Sequence, residues 1–221
     1  MRIVSFDLSS VCIGVVVAEV EGSAVTKIAS TPIVPPRFNP EKLGFNKSKK
    51  KVYTAKGKLI NTYVKPDETQ VSEAEKKRRD RLVRSQKDIE TLQYIGKEIG
   101  DILRGVRPDL ILVEKNAIFN GILTSILLAK VMGVLLGVAG ELHVPVQEYT
   151  VAEARSCFNV TQLTHRMVSM LSEEEINTIP DTTKRALRME LERIYPVCFK
   201  TDDESDACVV FHYWLTEGRK K

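Results

Sequence analysis

Two short runs of apolar residues predict central strands of a sheet, and each run ends at an acid. Ile3-Val4-Ser5-Phe6 is followed by Asp7, and Leu110-Ile111-Leu112-Val113 is followed by Glu114. Runs that are apolar on both faces and rich in β-branched residues are typical of fully buried strands. Both runs therefore predict buried strands whose last residue is a carboxylate.

The remaining periodicity predicts an alternation of strands and helices. Further strands are predicted at Gly14–Glu21, Val25–Val34 and His143–Tyr149. Helices are predicted at about Glu73–Arg104, Gly121–Gly140, Thr182–Tyr195 and Asp203–Thr216, with shorter pieces at Ala152–Phe158 and Ser169–Glu175. The apolar face of the first helix is assigned to Leu82, Ile89, Leu92, Ile99 and Leu103. This order predicts an α/β fold, with a central mixed five-stranded sheet flanked by helices.

The last predicted helix opens with two further acids, Asp203 and Asp206, whose spacing puts both side chains on one face. If this helix packs over the strand ends, the two acids join Asp7 and Glu114 in one cluster. Such a cluster is costly unless a cation neutralises it, and carboxylate oxygens suit Mg²⁺ or Mn²⁺. Asp7 alone is more typical of a loop cap, and the pair Asp203 and Asp206 is also typical of the start of a helix. Glu114 is unusual at the end of an apolar strand, and the ordered set of four favours a site for two metal ions.

A basic insert lies between about residues 35 and 75. Its stretch Lys42–Lys65 has eight lysines, no acid and three aromatic residues. Lysines mixed with aromatics favour a DNA-contacting arm, through phosphate pairing and base stacking, and a solvated loop is the alternative. The candidate DNA-binding residues are Lys49, Lys50, Lys51, Tyr53, Lys56, Lys58 and Tyr63, followed by Arg78, Arg79, Arg81 and Arg84 in the next helix.

The overall composition indicates one globular domain over residues 1–221, with the insert as an appendage. The chain has 43% hydrophobic residues and a net charge of only +4, so its global charge says little about partners. The four cysteines have no CxxC spacing, and no targeting segment is evident at the N-terminus. We therefore expect reduced thiols and a cytoplasmic or cytosol-like location, in a bacterial cell, a phage-infected host or an organelle matrix.

The stretch Gly121–Gly140 is long and apolar enough to span a bilayer. Lys130 lies in its middle, where a charge costs about 2.5–3.5 kcal/mol on insertion, and its neighbours are predicted strands of an α/β domain. We therefore predict a core helix rather than a membrane span. Gly133, Gly137 and Gly140 open one side of it to close approach, so this helix is also the candidate interface of a homodimer.

Taken in order, these motifs resemble the RuvC family of Holliday junction resolvases, in the RNase H-like nuclease superfamily. Phe6-Asp7-Leu8-Ser9-Ser10, followed by Gly14-Val15-Val16-Val17, is similar to the family's first hairpin, and Val113-Glu114-Lys115 is similar to its second acid. Val144–Thr150 resembles its fifth strand, and Asp203-Glu204-Ser205-Asp206-Ala207 resembles its DxxDA motif. The chain departs from the family in its long insert and in the lack of a glycine-rich stretch after Tyr149.

The resemblance implies an RNase H-like fold and a structure-selective, metal-dependent endonuclease. Its substrate would be a four-way DNA junction, which a homodimer opens by paired symmetric nicks that leave 5′-phosphate and 3′-hydroxyl ends. Asp7, Glu114, Asp203 and Asp206 would be the metal ligands, and Lys184 matches a lysine that relatives place near the scissile phosphate. Three alternatives stay open: a less selective branch or flap endonuclease, an RNA-processing nuclease of RNase H-like fold, and an inactive nucleic-acid-binding protein.

Overall fold

The computed structural model describes residues 1–47, 52–57, 59–60, 63–65, 68, 70–115, 122–158 and 182–220. It divides into two compact units. The first joins Met1–Pro35 with Ile95–Lys221, and the second is Pro36–Tyr94, which contains most of the basic insert. The short helix predicted at residues 169–175 lies outside the described residues. The four cysteines are free.

The first unit is built on a five-stranded sheet, as predicted. Its strands are β1 (Arg2–Asp7), β2 (Ile13–Glu21), β3 (Ala24–Ile33), β9 (Leu110–Glu114) and β10 (Val146–Tyr149), while β4 to β8 belong to the second unit. The order is β10-β9-β1-β2-β3. β1 pairs in parallel with β9 and antiparallel with β2, and β9 pairs in parallel with β10. The two acid-ending strands are therefore neighbours at the centre of a mixed sheet.

The described residues form five α-helices: α1 (Glu73–Val106), α2 (Ile122–Glu141), α3 (Val151–Arg155), α4 (Thr182–Ile194) and α5 (Asp202–Thr216). The predicted helices at these positions are confirmed to within a few residues. The predicted apolar face of α1 needs correction, because Leu82 and Ile89 are 47% and 46% exposed, whereas Ile95, Ile99 and Leu103 are fully buried. Leu82 and Ile89 lie roughly a quarter turn away from the stripe that Ile95, Ile99 and Leu103 form at four-residue spacing.

One face of the sheet carries α3, α4 and α5. Alternate residues of the central strands, Ile3 on β1 with Leu110 and Leu112 on β9, join a core to which α4 and the nearly fully buried α5 contribute. The residues between them, such as Phe6 and Val113, are also fully buried and point the other way. Burial on both faces explains why these strands are apolar throughout.

Within the described residues, α2 is the one helix long and apolar enough to cross a membrane by length and composition, and 28% of its apolar window is buried. Its inward residues are Leu128, Val131, Leu135 and Ala139. Gly96 of α1 lies against it, since a β-carbon at Gly96 would come within 3.2 Å of Val134. The outward side is apolar as well, with Ile122, Leu123, Ile126 and Leu136 exposed.

The second unit contains short strands that the sequence did not reveal. β4 (Asn46–Lys47) pairs with β7 (Tyr63–Val64), and β5 (Val52–Thr54) lies between β6 (Leu59–Ile60) and β8 (Gln70–Val71). Strands of two or three residues carry no readable periodicity. The insert is therefore folded where it is described.

Arg79 is the internal anchor of the second unit. It is only 3% exposed, and its guanidinium donates hydrogen bonds to Glu68 and Glu75 and stacks over the ring of Phe45 at 5.4 Å. The hydrogen bond from Arg79 lowers the pKa of Glu68. The prediction that Arg79 contacts DNA is thereby corrected, since a buried and fully paired guanidinium cannot reach a phosphate.

Candidate active site

The pairing of β1 with β9 brings two of the predicted acids side by side. Phe6 pairs with Val113, so Asp7 and Glu114 follow as the next residues at the carboxyl ends of parallel neighbours. Ser5 and Asp7 point to the same face of the sheet because side chains alternate along a strand. Ser5 Oγ donates a hydrogen bond to the carbonyl oxygen of Ala207 at 2.8 Å. Asp7 therefore faces helix α5.

Helix α5 lies against the backbone of the first hairpin. A β-carbon at Gly14 would lie only 1.9 Å from the carbonyl oxygen of Asp203, so any other residue there would push the helix away. The start of α5 is fixed by a capping box, in which Thr201 Oγ1 accepts from the Glu204 amide and Glu204 accepts from the Thr201 amide. These contacts hold Asp203 and Asp206, in the first turns of the helix, over the strand ends.

Two cations hold the carboxylate of Asp206, which is 5% exposed. Lys184 Nζ, on α4, donates to Oδ2 at 2.6 Å, and Arg155 Nη2, at the end of α3, donates to Oδ1 at 3.2 Å. The pKa of Lys184 is raised, because its partial burial is outweighed by the hydrogen bond to Asp206 and by the charges of Asp206 and Asp7. Lys184 thus lies among the predicted acids.

Burial and the neighbouring acids raise the pKa of Asp7 and of Glu114. The pKa of Asp7 rises from 3.8 to about 8, first because of burial and then because of the charges of Glu114, Asp206 and Asp203. Burial, followed by the charge of Asp206, also raises the pKa of Glu114, although Arg155 and Lys184 oppose this. Four acids face two cations, so the fully ionised cluster would keep a formal charge of −2. Among the described residues, Lys184 and Arg155 together do not offset this charge.

The donor set fits hard divalent cations. It consists of carboxylate oxygens, which Mg²⁺ and Mn²⁺ prefer, and its uncompensated charge is one that a cation would neutralise. Across the residues that the structure describes, no three His, Cys, Asp or Glu side chains are already arranged around a metal position. Asp206 is instead bound to Lys184 and Arg155. Asp7, Glu114, Asp203 and Asp206 remain the candidate ligands.

Arg155 and Cys12 were not singled out from the sequence. Arg155 looks like any surface arginine of a short helix until the fold brings it to Asp206. Cys12, in the turn before β2, lies beside Asp203, and burial followed by a hydrogen bond to Asp203 raises its pKa to about 11. It is therefore a neutral thiol at neutral pH. No local motif around either residue signals these positions.

The predicted DNA contacts differ in accessibility. Tyr53, Lys56, Arg78, Arg81 and Arg84 are exposed, whereas Tyr63 is partly buried. Arg78 is paired with Glu75 at 2.9 Å. Lys49, Lys50, Lys51 and Lys58 lie outside the described residues.

The sheet order, the helices on its faces and the acids at its centre define an α/β fold of RNase H-like type. The chain is similar to Thermus thermophilus RuvC in complex with a Holliday junction substrate, with a TM-score of 0.55, 13% identity, and coverage of 100% of this chain and 96% of that one. It is also similar to a second Thermus thermophilus RuvC structure, with a TM-score of 0.50, 14% identity, and coverage of 99% and 97%. No protein-family model and no curated protein sequence matches the chain. The resemblance to RuvC is thus confirmed as a likeness of fold.

Proposed function

We propose that this protein is a structure-selective, metal-dependent endonuclease that cleaves four-way DNA junctions by paired symmetric nicks. The observation that carries the proposal is the cluster of Asp7, Glu114, Asp203 and Asp206, formed by two central strands and the start of α5. The cluster lies in a fold shared with a RuvC that binds a Holliday junction. The uncompensated charge of the cluster supports a role in binding divalent cations.

Asp7, Glu114, Asp203 and Asp206 would hold two Mg²⁺ ions, with Mn²⁺ able to substitute. The metal would supply a Lewis acid for an attacking water and for the leaving 3′-oxygen, and hydrolysis of this kind leaves 5′-phosphate and 3′-hydroxyl ends. Asp7, which lies among the other three acids, would be one of the ligands and would have to lose its proton to bind a metal ion. Because its pKa is raised to about 8, metal binding should strengthen as the pH rises through this range.

Lys184 and Arg155 are the cations available to the substrate phosphate. Each holds one oxygen of Asp206, so a metal ion bound to one of these oxygens would compete with the cation that holds it. Once released, either side chain is positioned to offset negative charge on the phosphate at the transition state. Arg155 presents a planar donor pair suited to phosphate oxygens.

A homodimer would supply the second active site that paired nicks require. The exposed apolar side of α2 is the candidate interface. Ile122 and Leu123 are 79% and 60% exposed, and a β-carbon at Gly133 or Gly137 would meet no atom within 4 Å. Another backbone can therefore approach this helix closely.

The proposal is tested by incubating the protein with a four-way junction, a flap, a DNA duplex and an RNA–DNA hybrid, in Mg²⁺ and in Mn²⁺. We expect symmetric cleavage of the junction that is lost with EDTA, and 5′-phosphate ends that a ligase reseals. If the flap or the hybrid is cleaved in preference to the junction, that nucleic acid is the substrate instead of the junction. Binding with no cleavage in either metal would contradict the nuclease proposal.

A further inference from the structure

The second unit presents an exposed row of three side chains across the sheet β6-β5-β8. Tyr53 pairs with Leu59 on one side and with Gln70 on the other. Tyr53 is 39% and Leu59 57% exposed, and Gln70 is exposed. The row lies on the outer face, because the alternate residues Thr54 and Val71 are 2% and 4% exposed.

The chemistry of this row matches an unpaired nucleobase. The ring of Tyr53 offers a flat surface for stacking, Leu59 extends that surface, and the amide of Gln70 can donate to and accept from a base edge. Neighbouring strands lie about 4.8 Å apart, so the row spans roughly 10 Å, enough for one or two bases. An exposed tyrosine and leucine side by side are costly to leave in water.

The surroundings of the row favour a nucleic acid strand over an acidic or apolar partner. Lys56 is exposed in the tight turn that joins β5 to β6, where Gly57 has φ 75° and its amide bonds to the Thr54 carbonyl. The chain from residue 42 to 65 carries eight lysines and no acid. Farther along this unit, Glu68 and Glu75 are paired with Arg79 and Arg78.

We propose that the outer face of β6-β5-β8 binds unpaired bases of DNA, as they occur where strands exchange at a branch point. This inference rests on the proposed function for its substrate, but on separate residues. Tyr53 supplies the stacking surface, Lys56 supplies charge for the adjoining phosphate, and Gln70 contacts the base edge. Tyr63 is not part of this face, since it is only partly exposed and lies on β7 of the other small sheet.

The test measures binding in EDTA, so that DNA stays intact, to an oligothymidylate single strand, a four-way junction and a duplex. Tyr53→Ala should weaken binding to the single strand and the junction about 10-fold or more, and binding to the duplex less than twofold. Tyr53→Trp should retain wild-type affinity. Leu82→Ala, which trims another exposed apolar residue of this unit (47% exposed), should leave all three affinities unchanged.

A 2-aminopurine placed at the branch point adds a direct readout of stacking. Its fluorescence should change on binding to the wild type and to Tyr53→Trp, but not to Tyr53→Ala. If Tyr53→Ala lowers the melting temperature, Leu59→Asp is used as the test variant instead. Leu59 is more exposed and tolerates a charge there, and the substitution should also weaken binding to the single strand. The proposal is overturned if the variant loses as much affinity for the duplex as for the single strand, or if it loses no affinity. It is also overturned if the variant changes its mass in sedimentation but keeps its affinity for DNA, since this face would then bind a second copy of the chain.

The two proposals fail separately. If the wild type does not cleave junctions but binds single strands through Tyr53, the nuclease proposal is refuted and the base-binding proposal stands. If the wild type cleaves junctions and Tyr53→Ala binds every substrate with normal affinity, the nuclease proposal stands and the base-binding proposal is refuted.

Discussion

Asp7→Asn is expected to stabilise the metal-free protein at alkaline pH. The pKa of Asp7 is about 8 in the folded protein against an ordinary 3.8, through burial and then the charges of Glu114, Asp206 and Asp203. Between these values the folded state keeps a proton that the unfolded state has lost, so the free energy of unfolding falls as pH rises from about 4 to about 8. At 1.36 kcal/mol per pH unit, the loss has a ceiling of about 5–6 kcal/mol. Asparagine keeps the shape and cannot ionise.

The assay is urea unfolding in EDTA at pH 5 and at pH 9. Between pH 5 and pH 9, the free energy of unfolding of the wild type should fall by at least about 2 kcal/mol more than that of Asp7→Asn. Asp7→Asn should still lose some stability, because the pKa of Glu114 is also raised. Asp101→Asn, at an acid with a side chain 58% exposed, serves as control and should follow the wild type. Adding Mg²⁺ at pH 9 should stabilise the wild type but not Asp7→Asn. Parallel pH dependence of the wild type and Asp7→Asn would refute the view that Asp7 lies in an uncompensated acidic cluster.

Further outcomes follow from the same geometry. Glu114→Gln and Asp206→Asn should each abolish cleavage and leave junction binding intact, as gel shifts would reveal, because phosphate contacts elsewhere carry affinity; normal turnover by either variant would remove that residue from the site. Lys184→Met should slow cleavage about 100-fold yet lower the Mg²⁺ concentration needed for thermal stabilisation, since it frees an oxygen of Asp206; an unchanged metal titration would count against this competition. Gly14→Ala should destabilise the protein by at least about 2 kcal/mol in denaturant unfolding, and a neutral result would mean that α5 lies farther from β2. Gly137→Leu should convert a dimer into a monomer in sedimentation, and a monomeric wild type would sink the symmetric-nick mechanism.

The central sheet and the acidic cluster were predictable because their signals are local. A buried strand that ends in a carboxylate is visible in six residues, as at Asp7 and Glu114. The i, i+3 pair Asp203 and Asp206 fixes a helix face without knowledge of the fold. The pairing of β1 with β9 and the packing of α5 over the strand ends had to be assumed, because both depend on contacts between segments that lie far apart in the chain.

The second unit was not predictable for the opposite reason. Its strands are two or three residues long, so no alternation of apolar and polar positions announces them. Arg79 stands in a run of basic residues that reads as a solvated face, yet the tertiary fold brings Glu68, Glu75 and Phe45 around it and buries it. Charge patterning identified a basic segment, and it could not separate the structural arginine from the exposed ones.

The geometry around Asp206 links the resting protein to the proposed chemistry. A buried carboxylate needs partners, and Lys184 and Arg155 provide them when no metal does. The same two cations are those that a bound phosphate would need once Asp206 turns to a metal ion. Binding of metal and binding of substrate should therefore support each other, because a metal ion on Asp206 would free positive charge that a substrate phosphate can take up. No motif in the sequence indicates this exchange, since Arg155, Lys184 and Asp206 come from three different helices.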